Sequence, residues 1–314
     1  MKKNRDWTPT EIELLVSLKL AGQTWEEIAK NFDGVTPNSA RKAFYRYTRD
    51  DAKPRGSKSA PKVLLFDIET APIEAYVWDI WNQNVGLEQI KKDWSILSFA
   101  AKWMHEDKVM YLDNRDQKDP RDDRHLLPVL ASLLEEADIV IGQNSDKFDL
   151  PKIKARMLLN KMQPFTEPKS IDTYKILKRF GLTSKKLAYT TDKLCTRYKK
   201  LTHKEFPGQS LWNECLKHNL KAWKEMEAYN KHDVLSLEEL YVDHLAKWDD
   251  TLNFAAFTTD LVFRCNCGSD QFTRVKDKVT KKSRFARYKC KVCGKEHRDS
   301  SNLFTKEERA KLKV

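Results

Sequence analysis

The spacing of apolar positions changes along the chain, and each change predicts a different kind of structure. Between residues 10 and 20, Ile12, Leu15, Val16 and Leu20 fall on one helical stripe. Thr24 can cap a helix carrying Trp25, Ile28 and Ala29, and Pro37-Asn38 opens a third with Ala40, Ala43, Phe44 and Tyr47. Three short helices are expected over residues 1–49. The periodicity then stops in Asp50-Asp51-Ala52-Lys53-Pro54-Arg55-Gly56-Ser57-Lys58-Ser59-Ala60-Pro61, where Pro, Gly, Ser and charge predict a linker over residues 50–61.

From Lys62 short apolar runs take over. Val63 to Phe66, Ile96 to Ala101, Val109 to Leu112 and Ile139 to Ile141 predict strands, and Leu126 to Glu136 and Leu150 to Leu159 predict helices. Leu216 to Trp248 has good helix formers and neither Gly nor Pro, so one long helix or two in close succession are expected. The alternation predicts an α/β domain over residues 62–250, a connector over 251–263, a small cysteine-bearing unit over 264–300 with strand-like pieces, and a tail over 301–314.

Charge adds a partner. A formal net charge of +12, with 33% of residues charged, favours a polyanion, because Lys and Arg release condensed counterions from phosphates. No apolar run approaches the roughly 20 residues that span a bilayer, and Met1 to Arg5 leads into a polar, Trp-containing segment rather than an apolar signal core. The expectation is a cytoplasmic protein with no membrane partner, in a prokaryotic cell or phage-infected host rather than a nucleus. Of the six cysteines, Cys195 and Cys215 stand alone, while Cys265, Cys267, Cys290 and Cys293 cluster. In a reducing compartment such a cluster points to a metal rather than to disulfides.

Three segments bring acids into chemically useful places. In Phe66-Asp67-Ile68-Glu69-Thr70 a strand would project both acids from one face while Phe66 and Ile68 enter the core from the other. Two such carboxylates repel unless a cation neutralises them, and hard oxygen donors suit Mg²⁺ or Mn²⁺. Ile139-Val140-Ile141-Gly142-Gln143-Asn144-Ser145-Asp146-Lys147-Phe148-Asp149 leads from a buried strand through a polar turn to the start of a helix, where the dipole favours Asp149. In Tyr229-Asn230-Lys231-His232-Asp233, Tyr229 and Asp233 share a helix face. Each piece alone has a plainer reading: solvated acids at a strand edge, an N-cap, an ordinary helix surface.

Together they resemble the DEDD exonuclease superfamily, which includes the proofreading domains of family B DNA polymerases. The order is a D-x-E strand (Asp67, Glu69), an N-x-x-x-F-D element (Asn144, Phe148, Asp149) and Y-x-x-x-D (Tyr229, Asp233), spanning about Lys62 to Trp248. The resemblance implies a ribonuclease H-like mixed sheet flanked by helices, and a 3′-to-5′ exonuclease using two Mg²⁺ or Mn²⁺ ions. It implies that Asp67 bridges both ions, that Glu69 and Asp233 support the ion carrying the attacking water, that Asp149 assists through the other, and that Tyr229 orients the water. The superfamily's other branch has a His five residues before the last Asp; that position is Ala228 here, so the tyrosine (DEDDy) branch matches better. His232 points about 100° away from Asp233 on a helix and is read as a solvated neighbour. Asn144 is expected either to touch a terminal nucleotide or to close the strand as a turn residue, and Asp172 to cap a helix.

The flanks resemble two small modules. Asp6 to Thr48 is similar to the Myb/SANT-like helix-turn-helix group, with Trp7, Trp25 and Phe44 as core and Asn38, Arg41, Lys42, Tyr45, Arg46 and Arg49 offered to nucleic acid. A protein-contact or purely structural three-helix unit is the other reading. Cys265-Asn266-Cys267 and Cys290-Lys291-Val292-Cys293-Gly294 look like the knuckles of a zinc ribbon holding structural Zn²⁺, although the first is C-x-C. His297 is a surface residue in this reading, or a replacement ligand. Between Arg264 and Asp299, 12 Lys or Arg face 4 Asp or Glu, and Arg284 and Arg287, with Phe272, Phe285 and Tyr288 nearby, suit nucleic-acid contact. The helix-turn-helix favours DNA over RNA. An RNA exonuclease, a structure-specific endonuclease and a non-catalytic nucleic-acid-binding regulator are the alternatives, and a polymerase or replication partner is left open.

Overall fold

The computed structural model describes residues 7–20, 23–37, 39–40, 43, 60–201, 205–258 and 262–313. The chain divides into two compact units, Met1–Ser59 with Thr258–Asp260, and Ala60–Phe257 with Leu261–Val314.

The first unit contains α1 (Pro9–Leu20) and α2 (Trp25–Ala29). Thr24 caps α2 as expected, in a reciprocal box: its side chain accepts from Glu27 N–H while the Glu27 carboxylate accepts from Thr24 N–H. Pro37, Ser39, Ala40 and Ala43 are helical. Leu15, Ile28, Phe32, Ala40 and Ala43 are buried together, with Trp7 and Trp25 half-buried against them. Phe32, which the periodicity did not single out, lies edge-on to Trp7 at 5.0 Å. Phe44 and the six residues offered to nucleic acid, Asn38, Arg41, Lys42, Tyr45, Arg46 and Arg49, lie outside the described residues, as does most of the linker.

The second unit is built on a five-stranded sheet, ordered β5-β4-β1-β6-β7. Its strands are β1 (Val63–Thr70), β4 (Ile96–Trp103), β5 (Val109–Asp113), β6 (Ile139–Gly142) and β7 (Lys169–Asp172). β1 pairs antiparallel with β4 and parallel with β6. This is the expected ribonuclease H-like mixed sheet, covered by helices on both faces. Between β1 and β4 the two-stranded hairpin of β2 (Glu74–Ala75) and β3 (Ile90–Lys92) leaves the sheet.

Alternation along β1 separates two cores. Leu64, Phe66 and Ile68 pack under α3 (Leu126–Glu136) and α4 (Asp149–Leu159). Val63 and Leu65 pack on the opposite face against α5 (Thr173–Leu177), α6 (Leu187–Leu194) and α8 (Leu220–Glu239), the last preceded by α7 (Ser210–Cys215). Asp67 and Glu69 continue this second face. α8 is the expected long helix: Asn219 caps it, and a π-helical turn over Leu240–Leu245 follows. Its buried stripe runs Ala222, Trp223, Met226, Tyr229, Asn230, Asp233, Val234, Ser236, Leu237, Glu239, apolar over the first two turns and interleaved with polar residues from Asn230 onward.

Beyond the connector, β8 (Phe272–Val279), β9 (Arg284–Cys290) and β10 (Glu296–Asn302) form a three-stranded antiparallel sheet, followed by α9 (Lys306–Lys311) with Thr305 as its cap. Asn266 ties the sheet's first turn to the connector, donating to Leu252 O at 2.9 Å and accepting from Phe254 N–H at 3.1 Å.

Candidate active site

The polar turn of α8 crosses β1 where Asp67 and Glu69 project. Carboxylate oxygens of Asp67, Glu69 and Asp233 come within 4.8 Å of one another. Asp149 joins them from the other side of the strand. It is the first residue of α4, and its Oδ1 accepts from Ile68 N–H at 3.1 Å, so it is bonded to the backbone between the two β1 acids. It lies outside the tightest oxygen group, and the cap position proper is Phe148. Gly142 starts the turn that delivers it; a Cβ there would meet Ser145 Cβ at 2.4 Å.

Each acid is held by a specific donor. Asn230, fully buried, donates from Nδ2 to Asp67 Oδ2 at 2.7 Å, while Ser98 Oγ on β4 donates to Asn230 Oδ1 at 3.1 Å and so sets the amide's orientation. Trp212 on α7 donates from Nε1 to Glu69 Oε2 at 2.9 Å and meets Tyr229 edge-on at 6.1 Å. The Lys200 ammonium pairs with Asp233 Oδ2 and lies 4.6 Å from the centre of the Tyr229 ring.

Electrostatics follow from crowding acids in a dry place. Burial, then repulsion from Glu69, Asp149 and Asp233, pushes Asp67 well above the carboxylate range. Burial and then Asp233 push Glu69 up to about 8, against the pull of Lys200 and Trp212. Burial brings Asp149 up to about 7 although Ile68 N–H opposes it. Burial, followed by Asp233 and Glu69, raises Tyr229 above its usual value, so at neutral pH its hydroxyl keeps its proton. Burial pulls Lys200 down, but Asp233, Tyr229 and Asp67 outweigh it and the net shift is upward. One ammonium against four acids leaves a deficit of positive charge that a divalent cation fits, and three converging carboxylates are hard oxygen donors of the right type.

Sequence reasoning missed Lys200, Asn230, Ser98 and Trp212. Lys200 sits in Tyr198-Lys199-Lys200, which reads as solvated basic chain. Asn230 carried a signal, being a polar residue on the stripe shared by Trp223, Met226 and Leu237. His232 corrects an expectation: it is half-buried, and its Nε2 is 2.6 Å from Lys199 O, so it steadies the segment that carries Lys200. The same segment is anchored by Glu239, whose carboxylate accepts from the N–H groups of Thr196, Arg197 and Tyr198. Although burial opposes them, these bonds bring Glu239 down to about 2. Cys195 and His244 lie near Glu239, but its oxygens are already engaged by these donors.

Asn144 is a turn residue with φ 61°, and its N–H donates to Asp172 Oδ1 at 2.8 Å. Asp172 also caps α5, as expected, through Tyr174 N–H. Asn144 nevertheless lines a cavity of about 410 Å³ with Gln143, Tyr174, Lys185, Lys186 and Lys200, the last of which pairs with Asp233.

The sulfur atoms of Cys265, Cys267, Cys290 and Cys293 also lie within 4.8 Å of one another, with Cys265 to Cys293 at 3.4 Å and Cys267 to Cys290 at 3.7 Å. Tetrahedral Zn²⁺ with bonds of about 2.3 Å separates its sulfurs by about 3.8 Å, so the set fits that ion. Both turns close on a glycine at positive φ, but over different spans: Gly268 N–H donates to Cys265 O three residues back, and Gly294 N–H to Cys290 O four residues back. His297 is buried rather than on the surface, with Nε2 3.2 Å from Cys265 Sγ. Phe272 and Tyr288 pack with Phe263 and His297 instead of standing free. Arg284 is exposed over Phe304, and Arg287 pairs with Glu296 at 2.9 Å.

A family model described as the RNase_H superfamily (RNase_H_2) matches residues 83–245, which takes in Asp149, Lys200, Tyr229 and Asp233 and begins after Asp67 and Glu69. The chain is similar to the structure of the family B DNA polymerase from the hyperthermophilic archaeon Pyrobaculum calidifontis. That similarity has a TM-score of 0.41 and 16% identity over 58% of this chain, and it spans only 24% of the polymerase. No curated protein matches the chain.

Proposed function

The chain belongs to the RNase_H superfamily, and from that premise we propose that it is a metal-dependent 3′-to-5′ exonuclease of the DEDDy type, acting on DNA in preference to RNA. The observation that carries the reading is the convergence of Asp67, Glu69 and Asp233 within 4.8 Å, with Asp149 bonded between the first two. In this reading these four acids hold two Mg²⁺ or Mn²⁺ ions, which when bound supply the charge that activates water and balances the leaving 3′ oxygen.

The chain's own residues do the rest. Asn230 holds Asp67 through Oδ2, and Trp212 holds Glu69 through Oε2. Tyr229, protonated at neutral pH, is a hydroxyl donor positioned to orient a water beside Asp233 and Glu69. Lys200 carries a permanent positive charge to the same place, suited to a phosphate oxygen. The four cysteines hold a structural Zn²⁺, and the exposed basic side chains of the C-terminal sheet, Arg284 among them, offer phosphate contacts.

Strands of DNA and RNA labelled at either end, incubated with Mg²⁺ or Mn²⁺, test this. Stepwise loss from the 3′ end is expected, faster on DNA. Asp67→Ala and Asp233→Asn should each lower the rate about a thousandfold or more, since several kcal/mol of charge stabilisation is lost. Undiminished digestion by either variant would sink the assignment.

A further inference from the structure

The hairpin between Glu69 and β4 carries an unusual surface. Trp78 is 99% exposed, Trp81 76% and Tyr76 69%, and Ile80 and Leu87 stand out beside them. Bare apolar area on this scale marks a contact site. The segment is nonetheless well tied down. Arg121 Nη1 donates to the carbonyls of Pro72 and Asp93 at 2.9 Å each, pinning both feet of the hairpin. Glu74 pairs with Lys92 across the ladder, and Tyr76 and Gln89 exchange bonds above it. The feet of the hairpin and Tyr76 are therefore held by an ordered scaffold, from which the loop bearing Trp78 and Trp81 projects into solvent.

Two features connect this surface to the acid cluster. Ala71, the residue after β1, is buried in the same apolar cluster as Tyr229, so the hairpin starts beside the site. From its other foot an alternation of rings and cations leads back: Lys152 lies 3.6 Å from the Trp94 ring centre and 5.1 Å from that of Phe148, which precedes Asp149. At the hairpin itself Lys91 lies 5.5 Å from the Tyr76 ring centre, with Lys92 exposed next to it. The loop's own acids are Asp79 and Glu88, and Asp79 is turned back onto Ile80 N–H. Rings interleaved with ammonium groups suit unpaired bases and their phosphates, because every base has a face to stack and every linkage a charge.

We infer that Tyr76, Trp78 and Trp81 form a stacking platform for a single-stranded stretch of the substrate, continuous through Trp94, Lys152 and Phe148 with the acid cluster. The inference rests on the exonuclease reading for the identity of the polymer. It assigns to the hairpin the grip on nucleotides remote from the cleaved bond.

The full-length protein with Trp78→Ala and Trp81→Ala together is the test, since both side chains are exposed and their loss leaves the core intact. Binding of a labelled oligothymidylate is measured by anisotropy in Ca²⁺, alongside quenching of tryptophan fluorescence in the wild type. Roughly tenfold weaker binding by the double variant is expected, with hydrolysis of thymidine 5′-(p-nitrophenyl) phosphate unchanged. Equal oligothymidylate affinity overturns the platform. So does a wild-type dimer that the substitutions dissociate with affinity unaltered, which would make the hairpin a protein contact. If the wild type cleaves neither the small diester nor long strands with any divalent ion, the exonuclease reading fails while the binding measurement still reports on the platform.

Discussion

The acid cluster and the cysteine cluster are both sets of four metal-type ligands, yet they are built in opposite ways. The acids come from β1, α4 and α8, separated by up to 166 residues, and an open sheet with a core on each face brings them together. The cysteines come in two local pairs, each turned by its own glycine, at the edge of a sheet whose buried side chains are few: Cys265, Ala286, Cys290, Lys295 and His297. In the first case the fold is complete and the repulsion among the acids is a cost that it bears. In the second the ligand set makes up much of the core, and in the proposed reading a Zn²⁺ ion there would supply the folding energy.

Removing the ion should separate the two most sharply. A strong zinc chelator, or Cys290→Ser, is expected to unfold residues 264–302 while residues 60–257 keep their hydrogen-exchange protection, because about 10 kcal/mol or more of zinc binding is lost from the small sheet alone. Amide exchange followed by mass spectrometry reads both regions at once. Uniform loss of protection would show that the small sheet supports the large one.

A smaller effect tests whether the acid cluster is a positioned set. Asn230→Ala removes the only donor described for Asp67 Oδ2, and activity should fall about 10- to 100-fold, as for other groups that orient a metal ligand. Ser98→Ala, which frees the Asn230 amide to turn, should fall part of the way. A loss in kcat or in metal affinity with an unchanged melting temperature marks positioning; equal losses of stability in both variants would mark packing instead.

The mildest effect concerns Glu239, which anchors the segment carrying Lys200. Its folded pKa of about 2 lies below the unfolded value of about 4.3, so its bonds stabilise the protein above pH 4.3 and that contribution is lost as pH falls towards 2. Glu239→Gln should flatten the melting temperature between about pH 5 and pH 2 relative to the wild type. An unchanged acid limb would mean that other carboxylates govern it.

Local order was legible in the sequence where a short segment decides its own structure. The β1 run ending in Asp67 and Glu69, the Thr24 and Asp172 caps, the uninterrupted α8 and the paired cysteines all follow from spacing and residue type. Lys200 was not legible, because a lysine in a basic run is read as solvated until Asp233 and Tyr229 are seen around it. The same holds for Trp212, whose indole N–H finds Glu69 across 143 residues, and for Phe272 and Tyr288, which look like stacking surfaces until Phe263 and His297 cover them.

By itself, then, the sequence determined which acids, which cysteines and which elements were available, since periodicity and capping are local and survive being read along a line. Tertiary structure alone decided that Asp149 bonds to the backbone between Asp67 and Glu69, that Asn230 holds one of them, that one ammonium stands against four carboxylates, and that Trp78 and Trp81 are left in water. Burial and mutual distance set charge balance and exposure, and neither quantity exists until the chain has folded.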